Sequence, residues 1–402
     1  MSERGNADYE RIFEEALERE LTRRRLLRAA GAGVLSLSAV NLLAACGADD
    51  GADDKEAKAI GSGAVENALN FSNWPLYIDV DDKTKKRPTL EAYEKRYGAQ
   101  VKYTEEINDN TEFFGKVRQQ YARGSSGGRD LHVVTDWLCA RMNRLGYVQK
   151  FDKSQMPNAV KNIEKAVASP DFDRKREVSM PWQSGQVGVI YRSDKTGGAL
   201  TSVNDLFDPK FKGKVTFLSE MRDSVGSVLL AQGKKPETAT LDDAMAAVEK
   251  LEKAAKDGQI RRFTGNDFTK DLLKGDSFAV LGWSGDSVQL QVDDPKIRFA
   301  QPDEGFMVFT DSMQIPVGAP HPHAAQKMID FVYQPEVQAK ITEYVNYVPP
   351  VKGVREILQK SNPEVAENEL IFPDLAKAHN FKTFEPSEEQ DLTAAFQRAV
   401  GA

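Results

Sequence analysis

Apolar positions along the chain switch between two periods. Residues 68–71 form a short apolar run, and Val101 and Tyr103 alternate with polar neighbours, as in a half-buried strand. Between them Leu90, Tyr93 and Tyr97 recur at i, i+3 and i+7, which predicts a helix over 89–97 stopped by Gly98. Asn110 is placed to cap a second helix with Phe113, Val117 and Tyr121 on one face. Residues 124–128 read as a loop and 131–134 as a buried strand. This β-α-β-α-β order predicts a mostly parallel sheet covered by helices.

A similar set follows. Residues 215–218 read as a strand, and Thr240 with Asp243 has the pattern of a capping box on a helix that turns Ala244, Met245, Val248 and Leu251 inward. Residues 278–283 and 297–300 read as strands. Residues 313–317 lead into a helix over 322–333, and Pro335 opens another. The fold class is therefore α/β, most economically in two lobes. A length of 402 residues agrees, since single cores stop growing at roughly 250–300. No 20–50-residue repeat occurs.

The N-terminus has a different character. Thr22-Arg23-Arg24-Arg25-Leu26-Leu27-Arg28 resembles the twin-arginine export signal, and residues 29–45 form an apolar stretch rich in Ala and Gly. Seventeen residues are short of the roughly 20 that a permanent span needs, so the stretch fits the core of a cleaved signal better. It ends in Leu43-Ala44-Ala45-Cys46, which looks like a lipobox with the Cys46 thiolate as acceptor of the lipid. The small and charged residues after Cys46 cannot bury a core, and a flexible tether is expected there. Residues 1–21 are acid-rich for such a leader, and no role is assigned to them.

Composition narrows the function. Hydrophobic residues make up 40%, charged residues 29%, and the formal net charge is −7. An acidic surface argues against nucleic acid and is compatible with a cationic ligand. With Cys46 modified, Cys139 has no partner for an intrachain disulfide.

Aromatic and acidic residues fall just after predicted strands: Trp74 and Tyr77, then Trp137, Glu220 and Asp223, Trp283, and Phe309 with Asp311. The carboxyl ends of strands in an open parallel sheet face the ligand crevice, so these side chains converge. Taken singly, each has another reading. A tryptophan after a strand can be core, and Asp223 can cap a helix starting near Ser224. Together they suit a chain of ammonium groups separated by methylenes. Each ammonium needs a carboxylate or an aromatic face, and each methylene run needs an apolar wall.

Ser72-Asn73-Trp74-Pro75-Leu76-Tyr77, Asp130-Leu131-His132-Val133-Val134-Thr135, the run from Asp208 to Val215, Asp311-Ser312-Met313-Gln314-Ile315-Pro316 and Tyr347-Val348-Pro349-Pro350 resemble, in order and spacing, the spermidine/putrescine-binding periplasmic proteins. The resemblance covers residues 69–374. It implies a type II two-lobed periplasmic-binding-protein fold, each lobe a mostly parallel sheet flanked by helices, joined by crossing hinge strands. The expected division is a signal at 1–45, a lipid-anchored tether at 46–66, a first lobe from 67–183 and 307–352, and a second from 184–306 and 353–402. Crossings are expected near 181–185 and 300–306. Ligand contacts are implied for Trp74, Tyr77, Thr135, Trp137, Glu220, Asp223, Trp283, Phe309, Asp311 and Tyr347. Trp137 stands where the family pattern has Tyr, Phe309 where it has Trp, and Glu220 and Asp223 are interchanged. Asp136 and Asp286 are extra acids near the expected cleft. A glutamine of the family pattern has no clear counterpart around Phe384 and Glu385.

The implied function is capture of a polyamine by an extracytoplasmic lipoprotein for an ABC importer. The partners are a membrane permease and ATPase, the lipid anchor at Cys46 holds the membrane, no cofactor or metal is needed, and a monomer is expected. The alternatives are the same fold binding another small cationic or amino-acid-like solute, a sensor or adhesion role, and a secreted hydrolase. For the hydrolase, His321-Pro322-His323 lacks the i, i+4 spacing of a helical zinc pair and more simply precedes a helix, Cys139 has no assigned histidine, and no nucleophile elbow or phosphate loop is present.

Overall fold

Among the residues that this computed structural model describes, 57–81 and 83–401, ten strands share one mixed sheet. The described residues all belong to one compact unit. The expected signal, Cys46 and the first part of the tether lie outside the described residues.

The first half follows the predicted order. β1 (Ala68–Asn73), β2 (Gln100–Glu105) and β3 (Leu131–Thr135) run parallel with β1 in the middle, linked by α1 (Pro88–Tyr97) and α2 (Asn110–Ala122). Gly98 ends α1 at φ 72°, its N–H donating to the Glu94 carbonyl. The cap of α2 is Asp109, not Asn110: its carboxylate accepts from Thr111 N and Glu112 N. That frees the Asn110 amide for another task. α3 (Asp136–Arg144) follows β3 directly.

β4 (Met180–Arg192) is the first crossing strand. β5 (Val215–Leu218), β6 (Ile260–Thr264) and β7 (Ala279–Trp283) form the second sheet region, β6 and β7 flanking β5 in parallel and β7 antiparallel to β4. α4 (Met221–Ala231) and α5 (Leu241–Lys256) connect β5 to β6, α5 behind the predicted Thr240–Asp243 capping box. α6 (Ser284–Asp293) follows β7, and β8 (Ile297–Ala300) pairs with β4. β9 (Phe306–Gln314) is the second crossing strand, antiparallel to both β3 and β4.

Two hydrophobic cores lie on either side of the crossing. Leu69, Phe71, Val133, Trp182, Met313 and Ile329 belong to the first, and Val189, Phe217, Val248, Leu281 and Met307 to the second. β4 therefore leaves the first core between Trp182 and Val187. β9 makes its passage between Met307 and Met313, later than the expected 300–306. That stretch is instead a turn, with Gly305 at φ 107°.

Two other boundaries differ from expectation. α7 (Val354–Ser361) and the following helix Pro363–Glu367 cover the first core through Val354, Leu358 and Ala366. Only the end of the chain joins the second lobe, where α8 (Pro386–Val400) buries Leu392 and Phe396. A short apolar helix face does not say in sequence which core it covers. The tether, expected to run to 66, is docked from Ala57 onward. Ile60 N donates to the Lys150 carbonyl at 2.8 Å, Ala57 and Ile60 are buried, and His323 Nδ1 lies 2.7 Å from Glu66 Oε1. Two apolar side chains among small and charged residues suffice for this docking. The helix Pro322–Val332 starts right after His321, as predicted.

Candidate functional site

The carboxyl ends of β1 and β3, together with β9, build one wall of a cleft. Thr135 ends β3 and faces Asp311 of β9 in register. Its hydroxyl donates to Asp311 Oδ1 at 2.7 Å, and Asn110 Nδ2 donates to that hydroxyl at 2.8 Å. The chain after β1 turns sharply at Pro75 and Leu76, and Leu76 takes φ 56°, a conformation that costs an L-residue roughly 1–2 kcal/mol. The turn swings Tyr77 back, and its O–H donates to Asp311 Oδ2 at 2.8 Å. Trp74 is pinned by its indole N–H on the Val133 carbonyl, 3.0 Å away.

The second lobe supplies the facing wall from two helix starts. Glu220 is the cap of α4 and Asp223 lies in its first turn, so Asp223 does not cap a helix near Ser224. The Trp283 indole donates to Asp223 Oδ2 at 2.8 Å. Asp286 lies in the first turn of α6 and accepts from Asn266 Nδ2 and from the Tyr347 hydroxyl, both at 3.2 Å.

Side chains bond across the cleft at several points. Asn110 Nδ2 reaches Glu220 Oε2 at 3.3 Å, Ser219 Oγ donates to Asp109 Oδ2 at 3.1 Å, and Gln289 Nε2 donates to the Val345 carbonyl at 3.0 Å. The space between the two walls is about 510 Å³, part of it open to solvent. Tyr77 and Tyr347 meet edge to face at 5.2 Å between centroids, and Phe309 stands 6.2 Å from both Tyr347 and Trp283. The result is an aromatic box with acids at its corners.

Burial sets the electrostatics. Desolvation pushes the carboxyls of Asp286 and Asp311 up to about 7 against the hydrogen bonds that favour their ionised forms. Asp223 is driven well above the carboxylate range by burial and by the nearby Glu220 charge, and burial raises Glu220 itself. No Lys or Arg side chain lines the cleft beside these acids. Arg222 is nearest: it contacts Glu220 at 3.7 Å, pairs with Glu389, and lies 4.1 Å over the Trp137 ring, outside the lining.

Nine of the ten side chains singled out in the sequence line this cavity: Trp74, Tyr77, Thr135, Glu220, Asp223, Trp283, Phe309, Asp311 and Tyr347. Trp137 does not; its indole N–H donates to Glu220 Oε2 at 3.2 Å from the rim. Of the two extra acids, Asp286 faces the cavity. Asp136 turns away, accepting from Ser312 Oγ at 2.5 Å and meeting Arg176 at 3.4 Å. Asn110, Asn266 and Gln289 also line it and carry no signal in sequence, since an amide in a helix or loop is ordinary surface. Cys139 is buried with its thiol pushed well above its ordinary range by desolvation, so it is a packing residue and not a nucleophile. Among the described residues no helix is long and apolar enough to cross a membrane.

Residues 89–373 match the family described as bacterial extracellular solute-binding protein. The chain is 26% identical over 357 residues to the spermidine/putrescine-binding periplasmic protein of Escherichia coli (strain K12), covering 89% of this chain and 91% of that protein. It is 27% identical over 358 residues to the putrescine-binding periplasmic protein PotF of the same organism, covering 83% and 92%. The TpPotD lipoprotein (Tp0655) of Treponema pallidum shares the fold at a TM-score of 0.70 and 21% identity, over 83% of this chain and 100% of that one.

Proposed function

This chain belongs to the bacterial extracellular solute-binding proteins, and on that premise we propose that its cleft captures a polyamine of the putrescine/spermidine class for an ABC importer. One relay carries the reading. Asp311 accepts from Tyr77, Tyr77 packs on Tyr347, and Tyr347 donates to Asp286, so two buried carboxylates stand at opposite ends of an aromatic pair. An alkyl diammonium satisfies both ends and lays its methylenes on the rings between. Glu220 and Asp223 add acid on the Trp283 side, where a further amine of a longer ligand fits. An anionic solute would meet only like charge. The relatives' printed ligands, spermidine and putrescine, have the same chemistry.

Cation–π contacts of about 0.5–2 kcal/mol and charge-assisted hydrogen bonds of about 1.5–3 kcal/mol need only a few members to reach the roughly 8 kcal/mol of a micromolar complex. The arginines at 23–25 and the run ending in Cys46 support export by the twin-arginine route and a lipid anchor.

The test is isothermal titration with putrescine, cadaverine, spermidine, spermine and agmatine, with γ-aminobutyrate and glutamate as controls. At least one polyamine binds at micromolar Kd or better, and the anionic control does not. Binding of glutamate in preference to every amine would overturn the reading. Labelled fatty acid incorporated into wild type but not into Cys46→Ser checks the anchor.

A further inference from the structure

Two glycines of the second lobe stand where the closed cleft leaves no room for a Cβ. Gly285 is the second residue of α6, and its φ lies outside the left-handed region, so nothing in the local backbone asks for glycine. Alanine is the better helix former there. A Cβ at Gly285 would lie 2.2, 2.3 and 2.5 Å from Cε2, Cδ2 and Cζ of the Tyr347 ring. Gly265 follows β6, again without a positive φ, and a Cβ there would lie 2.7 Å from the Asn108 carbonyl oxygen.

In both cases the obstructing atom belongs to the other lobe. Tyr347 is part of the first core, and Asn108 immediately precedes the Asp109 cap of α2. This sets the pair apart from Gly226 and Gly282, whose missing Cβ makes room for Met307 and for Ile190 and Phe268, all of the second lobe's own core. The two contacts also sit beside bonds that cross the cleft. Next to Gly285, Tyr347 O–H reaches Asp286 at 3.2 Å, and on the Gly265 side Ser219 Oγ reaches Asp109 at 3.1 Å.

We propose that Gly265 and Gly285 are positioning residues that set how far the second lobe closes on bound amine. A methyl group at either point blocks the last stage of closure. It leaves Trp283, Asp286 and Asp311 chemically intact but keeps them from meeting around the ligand. Each lobe's core is complete without these contacts, so folding does not depend on them. The proposal rests on the reading of the cleft as a polyamine trap.

The experiment compares wild type with Gly265→Ala, Gly285→Ala and the pair, measuring melting temperature without ligand, Kd for putrescine and spermidine, and radius of gyration by X-ray scattering with and without saturating amine. The variants keep the wild-type melting temperature, bind amine at least tenfold more weakly, and compact less on binding. Because the obstruction at Gly285 is a ring, Gly285→Ala combined with Tyr347→Ala compacts as fully as Tyr347→Ala alone. Wild-type affinity and compaction in the glycine variants overturn the proposal, as does a double variant no more compact than Gly285→Ala. If wild type binds no amine, the ligand reading fails by itself. The ligand-free variants must then still scatter as more open than wild type, and identical curves overturn the seam.

Discussion

Trp283 donates its indole proton to Asp223 at 2.8 Å, so one wall of the cleft is held upright by one of its acids. The wall and the acid are then a unit. Trp283→Phe keeps an aromatic face but leaves Asp223 without its donor, whereas Trp283→Ala removes both. Titration should show roughly a 5-fold loss of amine affinity for Phe and about 30–100-fold for Ala, from a cation–π face worth ~0.5–2 kcal/mol plus lost apolar contact. Equal affinity in all three proteins would remove Trp283 from the site.

Asp311 is expected to cost stability and confer affinity. It accepts from Tyr77 and Thr135, yet burial holds its carboxyl up to about 7. Asp311→Asn keeps the shape without the charge. Amine affinity should fall about 10–150-fold, the size of a charge-assisted hydrogen bond. The ligand-free melting temperature at pH 8 should rise, each kcal/mol being worth roughly 2–4 °C. A variant both weaker in binding and lower in melting temperature contradicts this.

The same acids make affinity and ligand-free stability respond oppositely to pH. Burial pushes Asp286 and Asp311 up to about 7 in the folded protein against an ordinary value of 3.8, so between these values the folded state holds more protons. Stability without ligand therefore falls as pH rises toward 7, and the raised Asp223 and Glu220 act in the same direction. His132, held neutral by burial down to about 3, opposes this by one proton below its ordinary value of 6.5, and the two aspartates outnumber it. Glu106, lowered to about 2, contributes stability above its ordinary value of 4.5 that is lost in stronger acid. Amine needs the ionised carboxylates, so affinity rises from pH 6 to 8 and binding releases protons. Titrations at pH 6.5 in phosphate and in Tris should differ in heat by the buffer's ionisation enthalpy, and equal heats would show that no proton leaves.

Phe396 tests the reassigned C-terminus. It is buried in the second core on α8, which packs against α5. Phe396→Ala should cost about 3–5 kcal/mol, the usual loss for a large core aromatic. Hydrogen exchange should rise in β5 and α5 while β1 and β3 stay protected.

The sequence carried the site better than the domain limits. Trp74 and Trp283 are legible because strands end just before or at them and strand ends point to one place, whereas Asp311 lies inside β9 and reaches the cleft through the register that sets it opposite Thr135. Asp286 and Asp136 look alike in sequence, each in the first turn of a helix after a strand. Only packing shows that Arg176 and Ser312 draw Asp136 away while Asn266 and Tyr347 turn Asp286 inward. Asn110 resembles a cap because Asp109, one residue earlier, offers the same chemistry. The face of α7 was readable as apolar, but its partner core was set by α7's neighbours in space.

Residues 57–66 run along the first lobe only, fastened at Lys150 and His323. Tension arriving from upstream of Ala57 is thus borne by a single lobe and never transmitted through β4 or β9. The second lobe carries none of that load, and a pull on the tether neither opens nor shuts the jaw.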